Sequence, residues 1–146
     1  MVSFSDKSLT KKDRKEISEA IVEAEKMTSG EIRVHIQKKC KGDAIHEAKK
    51  VFHRLKMHNT RHHNAVLIFI ALESRCFAIF GDRGIHEHVG DLFWSQTRDK
   101  IASCFSKGEI QEGIVAGILD VGEKLKNHFP AETRNRNELS NEITET

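Results

Sequence analysis

The chain has 146 residues, a formal net charge of +2 and three scattered cysteines, Cys40, Cys76 and Cys104. This length suits one domain that buries a core without disulfides, and the odd, irregularly spaced cysteines favour free thiols in a reducing compartment. No segment has the roughly 18 apolar residues of a membrane span, and the N-terminus has no apolar run of signal-peptide length. We therefore expect a soluble, cytoplasmic protein with Cys40 exposed and the other two cysteines buried.

The N-terminal half predicts a helix, a strand and a second helix. Thr10 and Asp13 form a T-x-x-D capping box, which begins an amphipathic helix of about five turns. Residues 31–36 alternate polar and apolar side chains, so we expect a short and relatively exposed strand whose polar residues, His35 among them, face outward. Asp43 is placed to cap the second helix.

Two nearly uninterrupted apolar runs occupy the middle of the chain, from residue 64 to 72 and from residue 75 to 80. Such runs are typical of strands that are covered on both faces. Glu73 and Ser74 leave room only for a tight hairpin between them. After Gly81 the sequence GDRGIHEHVGD predicts a polar loop with three carboxylates and two histidines, where any chemistry is expected to lie.

The C-terminal part predicts two further helices. Asp91 is placed to cap the first, and the second runs from Glu109 to about His128 with the most regular apolar stripe in the chain. Gly113 and Gly117 lie on or beside that stripe, where a missing side chain permits close approach to a sheet.

The order of these elements predicts an α/β fold, a three-layer α/β/α sandwich around a small, four-stranded mixed sheet. Residues 1–130 are expected to form this single domain. Residues 131–146 are polar, with Leu139 and Ile143 as their only sizeable apolar residues, and predict a disordered tail.

The motifs TSGEIRVHI, NAVLIFIA and SRCFAIFGDRGIHEHVG, followed by a Trp-containing helix and EGIVAGILDVGEKLKNHFP, resemble the TPM domain family. That family is named for a thylakoid lumen protein, a photosystem repair factor and a receptor-modulating protein. The resemblance covers about residues 8–130 and implies an α/β/α sandwich, with phosphatase activity attributed to some members. Many relatives are secreted or membrane-anchored, so this chain resembles a stand-alone version. The matching polar residues are Glu31, Asn64, Arg75 and Asp82, while Ala65 replaces a family glycine.

The polar residues at the strand ends predict a divalent-metal site. Asp82, Glu87 and Asp91 are the expected ligands, with Glu31 and Asn64 contributed by neighbouring strand ends. Hard oxygen ligands favour Ca²⁺ or Mg²⁺ over Zn²⁺. Each residue also has an ordinary role, since Asp82 can form a turn and Asp91 can cap a helix.

Three functions remain open from the sequence. The first is a metal-responsive regulatory or interaction module, and the second is a weak metal-dependent phosphatase. No C-x₅-R, D-x-D-x-T/V or R-H-G motif supplies a nucleophile, although His86 or His88 beside Arg83 could serve. The third is a basic scaffold for an anionic partner, because residues 1–63 carry 15 basic and 9 acidic side chains.

The sequence also limits the partners. There is no recognition helix rich in Arg and Asn and no tyrosine for base stacking, so we expect no nucleic-acid partner. His58 and His62 are spaced as zinc ligands can be, but no third ligand follows at a known spacing. We expect a monomer that binds no membrane and whose protein partner, if any, is unknown.

Overall fold

The computed structural model describes residues 9–90, 92–132 and 143–145. These residues form five helices and four strands. In chain order they are α1 (Lys11–Glu25), β1 (Ile32–Gln37), α2 (Ala44–Arg54), β2 (Val66–Ala71), β3 (Cys76–Gly81), α3 (Arg83–Val89), α4 (Ser95–Ser106), α5 (Ile110–Lys126) and β4 (Thr144–Glu145). No helix among the described residues combines the length and apolarity that crossing a bilayer requires.

The sheet is mixed, with the strand order β3-β2-β1-β4. β1 runs parallel to both of its neighbours, and β2 pairs with β3 in an antiparallel hairpin. Because β1 and β2 are parallel, the chain must cross between their ends, and α2 makes that connection. The predicted four-stranded mixed sheet is confirmed.

Helices cover both faces of this sheet and separate two cores. On one face, Val34 and Ile68 contribute to an aliphatic core shared with α1, α4 and α5. On the other face, Phe69 packs with Val51 and Phe52 of α2. This division follows from the alternation of side chains along a strand, which sends odd and even positions of β2 to opposite layers. The α/β/α sandwich is thereby confirmed.

Local capping signals were accurate for the first two helices. The Thr10 hydroxyl accepts a hydrogen bond from the Asp13 N–H at 3.0 Å, and the Asp13 carboxylate accepts one from the Thr10 N–H. The Asp43 carboxylate accepts one from the Ile45 N–H at 3.1 Å, which begins α2. Each bond satisfies a backbone donor that has no partner within its helix.

The predictions for the C-terminal helices need two corrections. The N-cap of α4 is Trp94, without a side-chain cap, whereas the sequence predicted Asp91; residue 91 lies outside the described residues. A Cβ on Gly117 would come within 2.6 Å of Ile101, and one on Gly113 within 2.9 Å of Cys104. These glycines therefore permit close packing of α5 on α4, and not on the sheet as predicted.

The central hairpin and the segment after it also differ from the prediction. The β2–β3 ladder ends at the pair Ala71 and Cys76, so the connection has four residues, 72–75, instead of a two-residue turn. The predicted polar loop after Gly81 is largely the short helix α3. Its single buried apolar residue, Ile85, contributes to the aliphatic core, so tertiary contact supports a helix that its glycine and histidines favour only weakly.

β1 is more buried than its alternating pattern predicted. His35 and Glu31 are both buried, although both were expected to face outward. The reason is that helices cover both faces of the sheet: the His35 ring stacks on Phe69 of the core beneath α2, and Glu31 lies beside Glu25 of α1. β4 lies within the predicted tail, so residues 144–145 are ordered against β1, while residues 133–142 and 146 lie outside the described residues.

Candidate anion-binding pocket

A pocket of about 830 Å³ opens beside β3, between α2, α3 and the beginning of α4. Part of its wall is apolar and includes Phe80, Ile85 and Trp94. The charged and imidazole side chains that line it are Lys49, His53, His58, His63, Asp82, Arg83, His86 and Arg98. An apolar cavity with a few converging polar groups is the usual form of a small-molecule site.

Backbone hydrogen bonds hold the two walls of the pocket at the end of the hairpin. The Asp82 N–H donates to the Ala65 carbonyl at 2.9 Å, and the Gly84 N–H donates to the His63 carbonyl at 2.8 Å. A Cβ on Gly84 would lie 2.5 Å from the carbonyl oxygens of His62 and His63, so only glycine fits there. The predicted proximity of the loop before β2 to the segment after β3 is therefore confirmed.

Asp82 caps α3 with one carboxylate oxygen and leaves the other without a hydrogen bond. Its Oδ1 accepts from the Arg83 N–H at 2.8 Å. Its Oδ2 is buried and has no hydrogen-bond partner among the described residues. Nδ1 of His63 lies 3.6 Å from this oxygen. A buried carboxylate oxygen in this state is costly unless a ligand or ion supplies a donor or a positive charge.

His63 stands between Asp82 and Arg83. Its Nε2 lies 2.9 Å from Nη2 of Arg83. Because a guanidinium can only donate, this contact assigns the lone pair to Nε2 and the proton to Nδ1. The protonated Nδ1 lies 3.6 Å from Asp82 Oδ2, which is too far for a hydrogen bond. Arg83 therefore fixes the tautomer of His63, and the carboxylate oxygen beside it stays without a donor among the described residues.

The remaining polar lining comes mostly from two helices. Lys49 places its Nζ 5.8 Å from the centre of the Phe80 ring. The rings of His53 and His58 are 5.1 Å apart, and Nδ1 of His58 is buried without a hydrogen bond among the described residues. Arg98 donates from Nη2 to the Ser95 hydroxyl at 3.3 Å.

The charges that line the pocket are unequal. Of the described residues that line it, Asp82 is the only carboxylate, against the three permanent cations Lys49, Arg83 and Arg98.

The structure places the predicted metal ligands in different surroundings. Asp82 lines the pocket, whereas Glu87 is exposed on α3 and does not. Asn64 is buried and donates from Nδ2 to the Ser29 hydroxyl at 3.3 Å. Asp91 lies outside the described residues. Within the described part of the chain, no three His, Cys, Asp or Glu side chains are grouped so that they could hold a metal ion.

Glu31, the fifth predicted ligand, is buried beside another acid. Glu25 accepts a hydrogen bond from the Ile32 N–H at 2.9 Å, and burial together with the nearby Glu31 raises the pKa of Glu25 to about 8. The pair therefore holds a proton at neutral pH. Arg75, another residue of the family pattern, is exposed in the hairpin loop at the opposite end of β3 from Asp82.

Sequence reasoning missed most of the pocket because its residues are dispersed. Lys49 and His53 lie one turn apart on α2, and Arg98 lies on α4; on a helix such residues resemble an ordinary solvated face. The spaced histidines do not act together, since His58 lines the pocket while Nε2 of His62 pairs with Glu132 at 2.6 Å. The sequence signal that could have indicated the pocket was the high number of histidines near the hairpin.

Comparison with known proteins agrees with this architecture. The model of the TPM domain family matches residues 2–124. A solved structure, the NMR structure of the BA42 protein from the psychrophilic bacterium Bizionia argentinensis, is 44% identical to this chain, with a TM-score of 0.89. That similarity covers 95% of this chain and 96% of the other. No curated protein matches the chain. Both similarities extend over the strands and helices that build the pocket.

Proposed function

The chain belongs to the TPM domain family, and we propose that it binds a small phosphate-bearing ligand in the pocket beside β3. The charge balance of the pocket carries this proposal. Lys49, Arg83 and Arg98 line the pocket together with a single carboxylate among the described residues, Asp82. Guanidinium groups bind phosphate oxygens through short, charge-assisted hydrogen bonds, and a lysine adds a compact positive charge.

Asp82 favours a phosphate that still carries a proton. Its buried Oδ2 can accept a hydrogen bond from a P–OH group but repels a fully ionised anion of similar size. Phosphate monoesters keep such a proton in part near neutral pH, because their second pKa is about 6, whereas sulfate does not. The pocket should therefore prefer phosphate to sulfate.

Binding is expected without rapid hydrolysis. The His63 lone pair on Nε2 already accepts from Arg83, so this imidazole is not free to attack phosphorus. Asp82 uses its Oδ1 to cap α3, so that oxygen is also engaged in a hydrogen bond. Turnover of a generic aryl phosphate should stay well below the usual enzymatic rate of about 1 per second.

A divalent cation at Asp82 is the second candidate function. The buried Oδ2 without a partner favours it, because Ca²⁺ and Mg²⁺ bind carboxylate oxygens. Mg²⁺ can use one protein carboxylate together with water and phosphate oxygens, so this candidate is compatible with the first. It ranks lower because the described residues offer no second carboxylate in the pocket.

Calorimetric titration with inorganic phosphate and with sulfate at constant ionic strength tests the proposal. Arg83→Ala should weaken phosphate binding at least about 10-fold, because it removes charge-assisted donors. Arg61→Ala is the matched control, since Arg61 pairs with Glu132 at 2.5 Å outside the pocket and should change the affinity less than about 2-fold. Equal losses in both variants would show non-specific attraction.

The role of Asp82 has its own variant. Asp82→Asn keeps a residue that caps helices well, so α3 should remain folded. The substitution removes the negative charge, and it should raise sulfate affinity relative to phosphate. Adding Ca²⁺ or Mg²⁺ to the unsubstituted protein distinguishes the second candidate: a thermal shift that Asp82→Asn abolishes would support a cation there.

A further inference from the structure

We propose that Cys40 and Cys76 form an oxidation-responsive dithiol that closes to a disulfide when the protein meets a low-molecular-weight disulfide such as oxidised glutathione. Both side chains pack against the same core cluster, and the Cys40 thiol lies close enough to act on the Cys76 thiol. All three cysteines are free and half-buried, so Cys40 is less exposed and Cys76 less buried than the sequence predicted. The pair lies at the end of the sheet opposite the pocket.

The backbone holds the two cysteines together. Ser74 fixes the loop that carries Cys40, since its hydroxyl accepts from the Cys40 N–H at 2.9 Å and donates to the Cys40 carbonyl at 3.4 Å. Two residues further on, Cys76 begins β3 opposite Ala71. Both cysteines pack against the core beneath α2. Disulfide formation requires this proximity, because its geometry tolerates little backbone movement.

The surrounding residues assign different roles to the two sulfurs. Burial, together with the neighbouring Cys40, raises the pKa of the Cys76 thiol, which disfavours its thiolate. Cys40 lies in the surface loop after β1, where its Sγ contacts the Gly42 carbonyl at 3.8 Å. A reagent from solvent can reach Cys40 there, so Cys40 is the attacking thiol and Cys76 the resolving one.

The exchange proceeds in two balanced steps. The Cys40 thiolate attacks one sulfur of the small disulfide, forms a mixed disulfide and releases one small thiolate, which takes up a proton. Cys76, losing its own proton, then attacks Sγ of Cys40, forms the Cys40–Cys76 bond and releases the second small thiolate. Two protein thiols are oxidised, and one small disulfide is reduced to two small thiols.

The disulfide would join the loop before α2 to the beginning of β3. Closing the chain between residues 40 and 76 restricts the unfolded state, so the melting temperature should rise by about 5 to 10 °C. Because the pocket lies at the other end of the sheet, phosphate affinity should change less than about 2-fold, in keeping with independent, distant sites. The inference therefore stands or fails independently of the proposed function.

The test uses Cys104→Ser, which leaves only the pair, equilibrated with mixtures of oxidised and reduced glutathione. We expect both thiols to disappear together in Ellman titration, and peptide mapping to show one Cys40–Cys76 link that dithiothreitol reverses. Cys76→Ser should instead stop at a glutathione adduct on Cys40. An adduct on Cys40 in Cys104→Ser while Cys76 stays free, or two thiols that persist in excess oxidised glutathione, would overturn the proposal.

Discussion

Charged side chains are paired at one edge of the sheet and unbalanced at the other. At the β4 edge, Nε of Arg14 lies 2.6 Å from Oε1 of Glu145, and a second guanidinium nitrogen reaches the other oxygen at 3.2 Å. This pairing raises the pKa of Arg14 and lowers that of Glu145. At the β3 edge, three permanent cations line a pocket with one carboxylate. Charge that is paired within the fold is already neutralised, whereas charge left unbalanced in a cavity is available to a ligand.

The same contrast separates two histidines. His35 is buried on β1 beside β4, where its Nδ1 contacts the Thr144 hydroxyl at 2.7 Å. Burial lowers the pKa of His35, so the ring stays neutral. His63 is partly exposed in the pocket and bridges Asp82 and Arg83. One imidazole is a structural polar group with its partners in place; the other faces the space that a ligand would occupy.

The largest expected effect comes from removing the unbalanced charge. Arg83→Ala combined with Arg98→Ala should weaken phosphate binding about 100-fold, since each guanidinium contributes charge-assisted bonds. Arg14→Ala, at the opposite edge, should leave the affinity unchanged. Calorimetry on both proteins makes the comparison. A similar loss in Arg14→Ala would show that overall positive charge, and not the pocket, attracts the anion.

Deleting residues 133–146 tests the balanced edge. The truncated protein loses the β4 pairing, the hydrogen bond to His35 and the packing of Ile143. We expect a fall of about 3 to 6 °C in melting temperature, from lost hydrogen bonds and apolar burial. Phosphate affinity should persist. An unchanged melting temperature would mean that this segment behaves as the polar tail that its composition predicts.

The buried Glu25 carboxyl group is neither paired with a cation nor left charged, because it retains its proton at neutral pH. Its pKa is raised to about 8 in the folded protein, above its ordinary value of 4.5. The folded state therefore binds more protons between these values, and the unfolding free energy should fall as pH rises through that window. The contribution is complete below about pH 4.5 and lost once the pH passes about 8.

Glu25→Gln should remove this pH slope and stabilise the protein at pH 9 by about 1 kcal/mol or more. Urea denaturation at pH 5, 7 and 9 measures it. Glu23→Gln is the matched control on the same helix, because the Glu23 carboxylate lies at the surface, 3.0 Å from Lys26 Nζ. If both variants keep the slope of the parent protein, the buried proton is located elsewhere.

The smallest effect is expected at Glu132, a surface carboxylate. His62 and Arg61 lower its pKa through hydrogen bonds. Exposed ion pairs contribute little, because solvent screens them and ordering the side chains costs entropy. Glu132→Ala should therefore leave both the melting temperature and phosphate affinity unchanged in thermal-shift and calorimetric measurements. A clear loss of phosphate affinity would extend the site beyond the pocket walls.

The sequence predicted the elements whose signals are local. The caps Thr10 and Asp43, and the apolar runs of β2 and β3, depend on residues within a few positions of one another. β4 has no such signal. Its two polar residues form a strand because they pair with β1, which lies more than a hundred positions earlier in the chain. The short helix α3 was missed for a related reason, since Ile85 stabilises it from the core.

The candidate site was predicted less well than the fold. Asp82 was correctly expected at the junction of the hairpin and the following segment, and the adjoining loops do meet there. The sequence grouped the acids by their proximity in the chain. Folding instead brings Lys49, Arg98 and the histidines to Asp82 from separate elements, so the pocket is cationic where an acidic cluster was expected.

The central claim is that the cations beside β3 bind phosphate, and an NMR titration of the isotope-labelled protein with inorganic phosphate tests it most directly. We predict saturable amide shifts concentrated at His63, at residues 82–86 and around Arg98, with none at Thr144 and Glu145. Sulfate should produce weaker shifts at the same positions. Shifts spread over the exposed lysines of α1, or no saturable shift in residues 82–86, would contradict it.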